Sequence, residues 1–154
     1  MTTWYRVSNK ENAGMTFSGD GGLYVAGRWN HIGKKVIYCS ESIALCTLEW
    51  LSHNGLSVSG FNYHRFSIEV PDKLIRQISL SDLPKEWNFN PATDLTRQFA
   101  EAHLFSLSKT VMGLCVPSVL VPEEYNLIIN PLHEKFIKIA QSIKYLGQYV
   151  APER

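Results

Sequence analysis

The chain has 154 residues, 45% of them hydrophobic and 19% charged, with a formal net charge of +1. That is one domain's worth of ordinary globular composition, long enough to bury a core, and it excludes a largely disordered protein. A balance so near zero gives no global attraction to nucleic acid or to anionic lipid.

The opening segment "MTTWYRVSNK" lacks an apolar signal core, and no apolar run approaches the roughly 20 residues of a membrane span. The expectation is a cytoplasmic protein without a membrane partner. Cys39, Cys46 and Cys115 are an odd number of cysteines without CxxC spacing, and they read as reduced, buried thiols. His31, His53, His64, His103 and His133 form no HExxH or CxxC/HxxxH pattern, so no metal site is expected. No repeat or linker interrupts the chain, and residues 1–154 read as one domain.

Taken in order, the first punctuated stretch is "SGDGG", ending at Gly22. No apolar strand precedes it at the place a phosphate loop requires, so it reads as a flexible turn. "KVIYCS" (35–40) is short, β-branched and aromatic, and reads as a strand. "SIALCTLEWLSH" (42–53) reads as a helix: Ser42 is a good N-cap, and Asn54-Gly55 is a good stop. Its apolar stripe is expected at Ala44, Leu48 and Leu51. "HRFSIEVP" (64–71) alternates Phe66, Ile68 and Val70 with Arg65, Ser67 and Glu69, the pattern of a half-buried strand.

"ATDLTRQFAEAHLFSLSK" (92–109) predicts a second helix, capped by Thr93 or Asp94, with Leu95, Phe99 and Ala102 on one face. "VMGLCV" (111–116), "SVLV" (118–121) and "NLIIN" (126–130) predict three more strands, divided by Pro117 and "PEEY". "EKFIKIAQSIKYLGQYV" (134–150) fits a helix or a strand. Short strands with two clear helices that do not alternate regularly predict an α+β fold with a mainly antiparallel or mixed sheet.

One residue breaks the apolar pattern. Glu49 lies within a helix among Leu48, Trp50 and Leu51. Burying an unpaired carboxylate is very unfavourable, so this one is neutralised, paired or waiting for a ligand. It sits at a solvent edge, pairs with His53 at i+4, or faces a cleft where an arginine or a substrate hydroxyl answers its charge. Arg28 is a candidate partner, although its spacing alone fits a snorkelling surface side chain equally well. Tyr38 fits a core aromatic of a strand. Ser118 is a hydroxyl between apolar segments beside a proline, and Asn126 and Asn130 bracket a strand where amides commonly cap turns.

The blocks "GRWN", "VIYCSES", "ALCTLEWLSH" and "LCVPSVLVPEEYNLIINPLH", together with "YRVS" and "ISLSDLPKEWN", resemble the RES domain in order along nearly the whole chain. The ending "YLGQYVAPER" departs from the aspartate-proline-arginine-leucine ending usual in that family. The resemblance implies an ADP-ribosyltransferase-like split sheet around a cleft for NAD+. It implies the toxin of a type II toxin–antitoxin pair that depletes NAD+ by cleaving the nicotinamide–ribose bond through hydrolysis or phosphorolysis.

The same resemblance carries Arg28, Glu49 and Ser118 over as the family's eponymous residues, Tyr38 as an active-site tyrosine and Arg6 as a further arginine of the pocket. NAD+ would be held by Arg6, Arg28, Tyr38, Ser118 and Asn126. It would be a substrate, with no cofactor required. The implied partner is an Xre-type antitoxin with a helix-turn-helix domain, and contact with nucleic acid would come only through that partner. Transfer of ADP-ribose to a host protein and a non-catalytic antitoxin-binding module are the alternatives. A ribonuclease is disfavoured by the neutral charge and the lack of a basic aromatic stripe.

Overall fold

The computed structural model describes residues 1–55 and 62–150. In chain order the elements are β1 (Thr2–Ser8), α1 (Ala13–Thr16), α2 (Gly21–Tyr24), β2 (Ile37–Ser40), α3 (Ile43–Asn54), β3 (Asn62–Val70), β4 (Ile75–Gln77), α4 (Asp94–His103), β5 (Gly113–Pro117), β6 (Tyr125–Ile129), α5 (Phe136–Ala140) and β7 (Lys144–Val150). The strands form one mixed sheet in the order β4-β5-β6-β2-β1-β3-β7. Only the β4–β5 pair is parallel among these. This is the α+β architecture expected from the sequence.

The sheet is nearly divided in two. β1 pairs with β3 along its whole length, from Thr2↔Val70 to Ser8↔His64, yet meets β2 only at Tyr5↔Ser40. Arg6 bridges this seam: its Nη1 donates to the Tyr38 carbonyl at 2.8 Å and its Nε to the Thr16 carbonyl at 2.8 Å. Strand alternation puts side chains from one seam on opposite faces. Ile37, Cys39, Leu127 and Ile129 pack with Trp4, Phe66 and Phe136 on one face, whereas Leu114, Val116 and Ile128 pack with Trp29, Ala100 and Leu104 on the other. Fully burying each such Ile, Leu or Phe contributes roughly 1.5–3 kcal/mol.

Local chemistry sets the helix ends. Ser42 Oγ accepts from Leu45 N at 3.0 Å to open α3, and Gly55 at φ 88° closes it. The buried stripe of α3 is not Ala44, Leu48 and Leu51. Leu45 and Cys46 are buried, while Ala44 is exposed and Leu48 is 40% exposed. The helix is apolar around most of its circumference, so periodicity alone did not select the inward side; Cys46 packs there with Val7 and Tyr63. Glu49 follows Leu45 and Cys46 by one turn and shares their face.

Other expectations change as well. Thr93 caps α4, but the buried side is Thr96 and Ala100, leaving Leu95 and Ala102 exposed; the helix ends at His103, before a 3₁₀ turn at Phe105–Leu107. "SVLV" is not a strand: Ser118 Oγ accepts from Leu120 N at 3.1 Å and Val121 N at 3.2 Å, curling the chain into a turn. "SGDGG" is not a flexible turn: Gly21 and Gly22 open α2, and a Cβ on Gly22 would lie 2.0 Å from the Lys34 carbonyl oxygen. The ambiguous terminal segment is both things in succession, α5 and then β7. Strands β1 and β4 were not among the expected elements, although Thr2, Thr3, Trp4, Tyr5 and Val7 give β1 a strand's composition. The departing tail beyond residue 150 lies outside the described residues.

Candidate active site

A cleft of about 210 Å³ opens over β2 and β6, lined by Arg28, Trp29, Tyr38, Glu49, Asn90 and Asn126, among others. Tyr38 comes from β2, Asn126 from β6 and Glu49 from α3, while a small hairpin closed by the Gly27↔Asn30 bridge presents Arg28. A larger cavity of about 380 Å³, next to Trp4, Asp72 and Tyr125, contains none of the residues expected in the site. The chemistry converges on the smaller one.

Glu49 is held by one oxygen. Its Oε1 accepts from Ser118 Oγ at 2.8 Å and from Asn126 Nδ2 at 2.7 Å. Among the described residues Oε2 accepts no hydrogen bond, and Glu49 forms no hydrogen bond or ion pair with His53. Two donors on one oxygen fix the rotamer and leave the other oxygen available in the cleft.

Ser118 is fully buried and does not line the cleft. Its hydroxyl donates to Glu49 while accepting from two backbone N–H groups, so it orients the carboxylate from behind rather than touching a ligand. Asn126 lines the cleft with both ends of its amide engaged, Nδ2 on Glu49 and Oδ1 accepting from Ser40 Oγ at 2.7 Å.

Arg28 faces Glu49 across the same cleft. Its Nη1 donates to the carbonyls of Trp87 at 2.9 Å and Phe89 at 2.7 Å, pinning that loop, whereas Nε and Nη2 have no partner among the described residues. Burial draws its pKa below the ordinary value; Glu49 and Tyr38 oppose that shift and Arg97 adds to it. The hairpin beneath it is braced by α4, since the Thr96 hydroxyl donates to the Arg28 carbonyl and Arg97 Nε donates to the Gly27 carbonyl at 2.9 Å.

Tyr38 is tied by its hydroxyl, which donates to Asn30 Oδ1 at 2.6 Å and accepts from Trp29 N at 3.2 Å. Burial raises its pKa far above the usual phenol, so it stays protonated. Its oxygen is committed, and the ring is what it offers to a ligand. Asn30, 2% exposed, was not singled out in the sequence. It also accepts from Gly27 N at 2.9 Å and donates to the carbonyls of Val25 and His31, both at 3.1 Å. The only signal was an amide closing "GRWN". Gly27 is required there, because a Cβ would lie 2.5 Å from both Asn30 Oδ1 and the Tyr38 hydroxyl.

Arg6 is not brought to the cleft. It leaves β1 on the side of Trp4 and Thr16, and both of its bonds go to backbone carbonyls. Burial raises the Cys46 thiol to about 11 and those of Cys39 and Cys115 to about 12, so none supplies a thiolate at neutral pH. Among the described residues no group of three or more His, Cys, Asp or Glu is placed to hold a metal, and no helix is long and apolar enough to cross a membrane.

The site is thus a carboxylate, Glu49, facing an arginine, Arg28, over strands β2 and β6 of an α+β sheet. The RES domain model matches residues 3–149, and the chain belongs to that family. It is similar to Toxin Res of Yersinia enterocolitica (serotype O:8 / biotype 1B), with 36% identity over 143 residues and 93% of each chain covered. Toxin Res of Photorhabdus laumondii subsp. laumondii is 32% identical over 142 residues, covering 92% of this chain and 90% of that protein. The Prs ADP-ribosylating toxin of Sphingobium sp. (strain YBL2) is 36% identical over 134 residues, covering 84% of this chain and 82% of that protein. In fold the chain is similar to one in the crystal structure of the M. tuberculosis MbcT-MbcA toxin-antitoxin complex, with a TM-score of 0.65 and 14% identity over 98% of this chain and 84% of that one.

Proposed function

We propose that this protein is the toxin of a toxin–antitoxin pair and that it cleaves the nicotinamide–ribose bond of NAD+. The observation that carries this reading is Glu49, held by Ser118 and Asn126 through one oxygen and facing Arg28 across the cleft.

Breaking the glycosidic C–N bond leaves its electron pair on nicotinamide, which departs neutral. Positive charge develops on the ribose C1 and ring oxygen, as in glycoside hydrolysis. A carboxylate fixed in place before reaction stabilises that charge without reorganising, an effect that contributes several kcal/mol in a site shielded from water. Because the leaving group is neutral, no strong general acid is needed, and the cleft's lining includes no histidine. The free Nε and Nη2 of Arg28 form a planar fork suited to a pyrophosphate oxygen. The Tyr38 ring and the Trp29 side chain give apolar surface for the nicotinamide ring.

Size agrees with binding by one end. A cleft of about 210 Å³ is below the roughly 300–1,000 Å³ of pockets that enclose a whole ligand. It accommodates the nicotinamide riboside portion and leaves the adenosine outside. Water, phosphate or a protein side chain then attacks C1. Transfer to a protein is a second reading, favoured by the name of the Sphingobium relative. The antitoxin implied by the family is the partner that keeps the activity in check.

Purified protein incubated with NAD+ should release nicotinamide, followed by chromatography. Omitting phosphate, or adding a cell lysate with labelled NAD+, distinguishes the acceptors. No release under any of these conditions would overturn the reading.

A further inference from the structure

We propose that Ser40 is a positioning residue for Glu49, acting through the side-chain amide of Asn126. This rests on the reading of Glu49 as the carboxylate that works on NAD+. Ser40 and Asn126 are directly opposed cross-strand partners of β2 and β6, and Ser40 is 3% exposed and does not line the cleft. Any influence it has on the chemistry therefore passes through a neighbour.

An asparagine amide has two unlike ends, and a carboxylate tolerates only one of them. Turned as it is here, Nδ2 donates to Glu49 Oε1 at 2.7 Å. Flipped, Oδ1 would confront the carboxylate as acceptor against acceptor. Ser40 selects the productive orientation, because its hydroxyl donates to Oδ1 at 2.7 Å. The donors then run in one direction, from Ser40 to Asn126 to Glu49. Without the Ser40 hydroxyl, Asn126 Oδ1 loses its donor and the amide loses its reason to hold one face toward Glu49.

Two measurements test this. In ¹⁵N-labelled protein the Asn126 side-chain NH₂ should be protected from solvent exchange, lose that protection in Ser40→Ala, and keep part of it in Ser40→Cys, which retains a weak donor. In nicotinamide release, Ser40→Ala should lower kcat roughly tenfold with KM little changed, the effect of one lost hydrogen bond felt at the reacting groups. In an Asn126→Ala background it should add nothing further. Wild-type protection of the Asn126 amide in a folded Ser40→Ala variant would overturn the proposal. The exchange measurement needs no NAD+, so it decides the positioning claim even if the cleavage reading fails.

Discussion

Ser118 and Glu49 stand 69 residues apart in the chain, and a 2.8 Å hydrogen bond from Ser118 Oγ to Glu49 Oε1 brings them together. The same hydroxyl accepts from Leu120 N and Val121 N, so one oxygen ties a turn of the chain to a helix. The serine faces the carboxylate and the backbone, not the cleft. Its part in any reaction is to set the geometry of Glu49.

Replacing Glu49 by glutamine should therefore abolish activity with little change of fold. The new Oε1 still accepts from Ser118 and Asn126, and only the charge is lost. Nicotinamide release should fall by orders of magnitude while the melting temperature hardly moves, because charge fixed near the developing cation acts on the transition state. Normal release by folded Glu49→Gln would sink the assignment of this carboxylate.

Ser118→Ala should damage both stability and catalysis. Two backbone N–H groups lose their acceptor and Glu49 loses a donor, each a part-buried bond that contributes about 0.5–1.5 kcal/mol. For a domain of this size each kcal/mol lowers Tm by about 2–4 °C. A calorimetric scan showing an unchanged Tm would mean that the turn is held by other bonds.

The two arginines should separate cleanly. Arg28→Lys keeps the charge but cannot hold two carbonyls and a phosphate oxygen from one planar group, so KM for NAD+ should rise and the 84–90 loop should loosen. Arg6→Ala should instead lower stability, because the carbonyls of Thr16 and Tyr38 lose their donor where β1 and β2 part. If Arg6→Ala raised KM without lowering Tm, Arg6 would belong with the ligand after all.

How much of this was legible in the sequence depended on whether the deciding interaction was local. Ser42 and Gly55 mark the ends of α3, and the alternation of Phe66, Ile68 and Val70 marks β3, because caps and strand alternation are written within a few residues. The inward face of α3 was not legible: its apolar residues go nearly all round, and the side that packs on Val7 and Tyr63, on other strands, is the one carrying Cys46. Ser118–Val121 looked like a strand for its valines and leucine, and the hydroxyl that bends it was invisible to hydropathy. The identities of Glu49, Arg28 and Tyr38 as cleft residues came from resemblance, and the physical reason for their meeting is long-range. Arg6 illustrates the limit, since its acceptors lie 10 and 32 residues away.

Tyr38→Phe should be mild and Tyr38→Ala severe. The phenol oxygen is occupied by Asn30 and Trp29, so removing it loosens the hairpin without taking away the ring that meets the ligand. Kinetics should give kcat within a few-fold for the phenylalanine variant, and a large loss for alanine. Equal losses in both would make the hydroxyl, not the ring, the working part.

Control of such an enzyme should act at the cleft itself. A free NAD+-degrading protein would harm its host, so its inhibitor has to be tight and fast. The mouth offers the Arg28 guanidinium, with apolar side chains nearby: Leu120, which lines the cleft and is 42% exposed, and Phe89, 52% exposed in the loop that Arg28 pins. A segment of the antitoxin with an acidic group and an apolar side chain matches that pairing, the carboxylate standing where a phosphate would. If so, antitoxin and substrate compete, and linkage makes the competition reciprocal. A non-cleavable NAD+ analogue at saturating concentration should raise the antitoxin's apparent Kd in a titration calorimeter. Arg28→Ala should weaken the binding of both. An antitoxin Kd indifferent to the analogue would place the inhibitory contact away from the cleft.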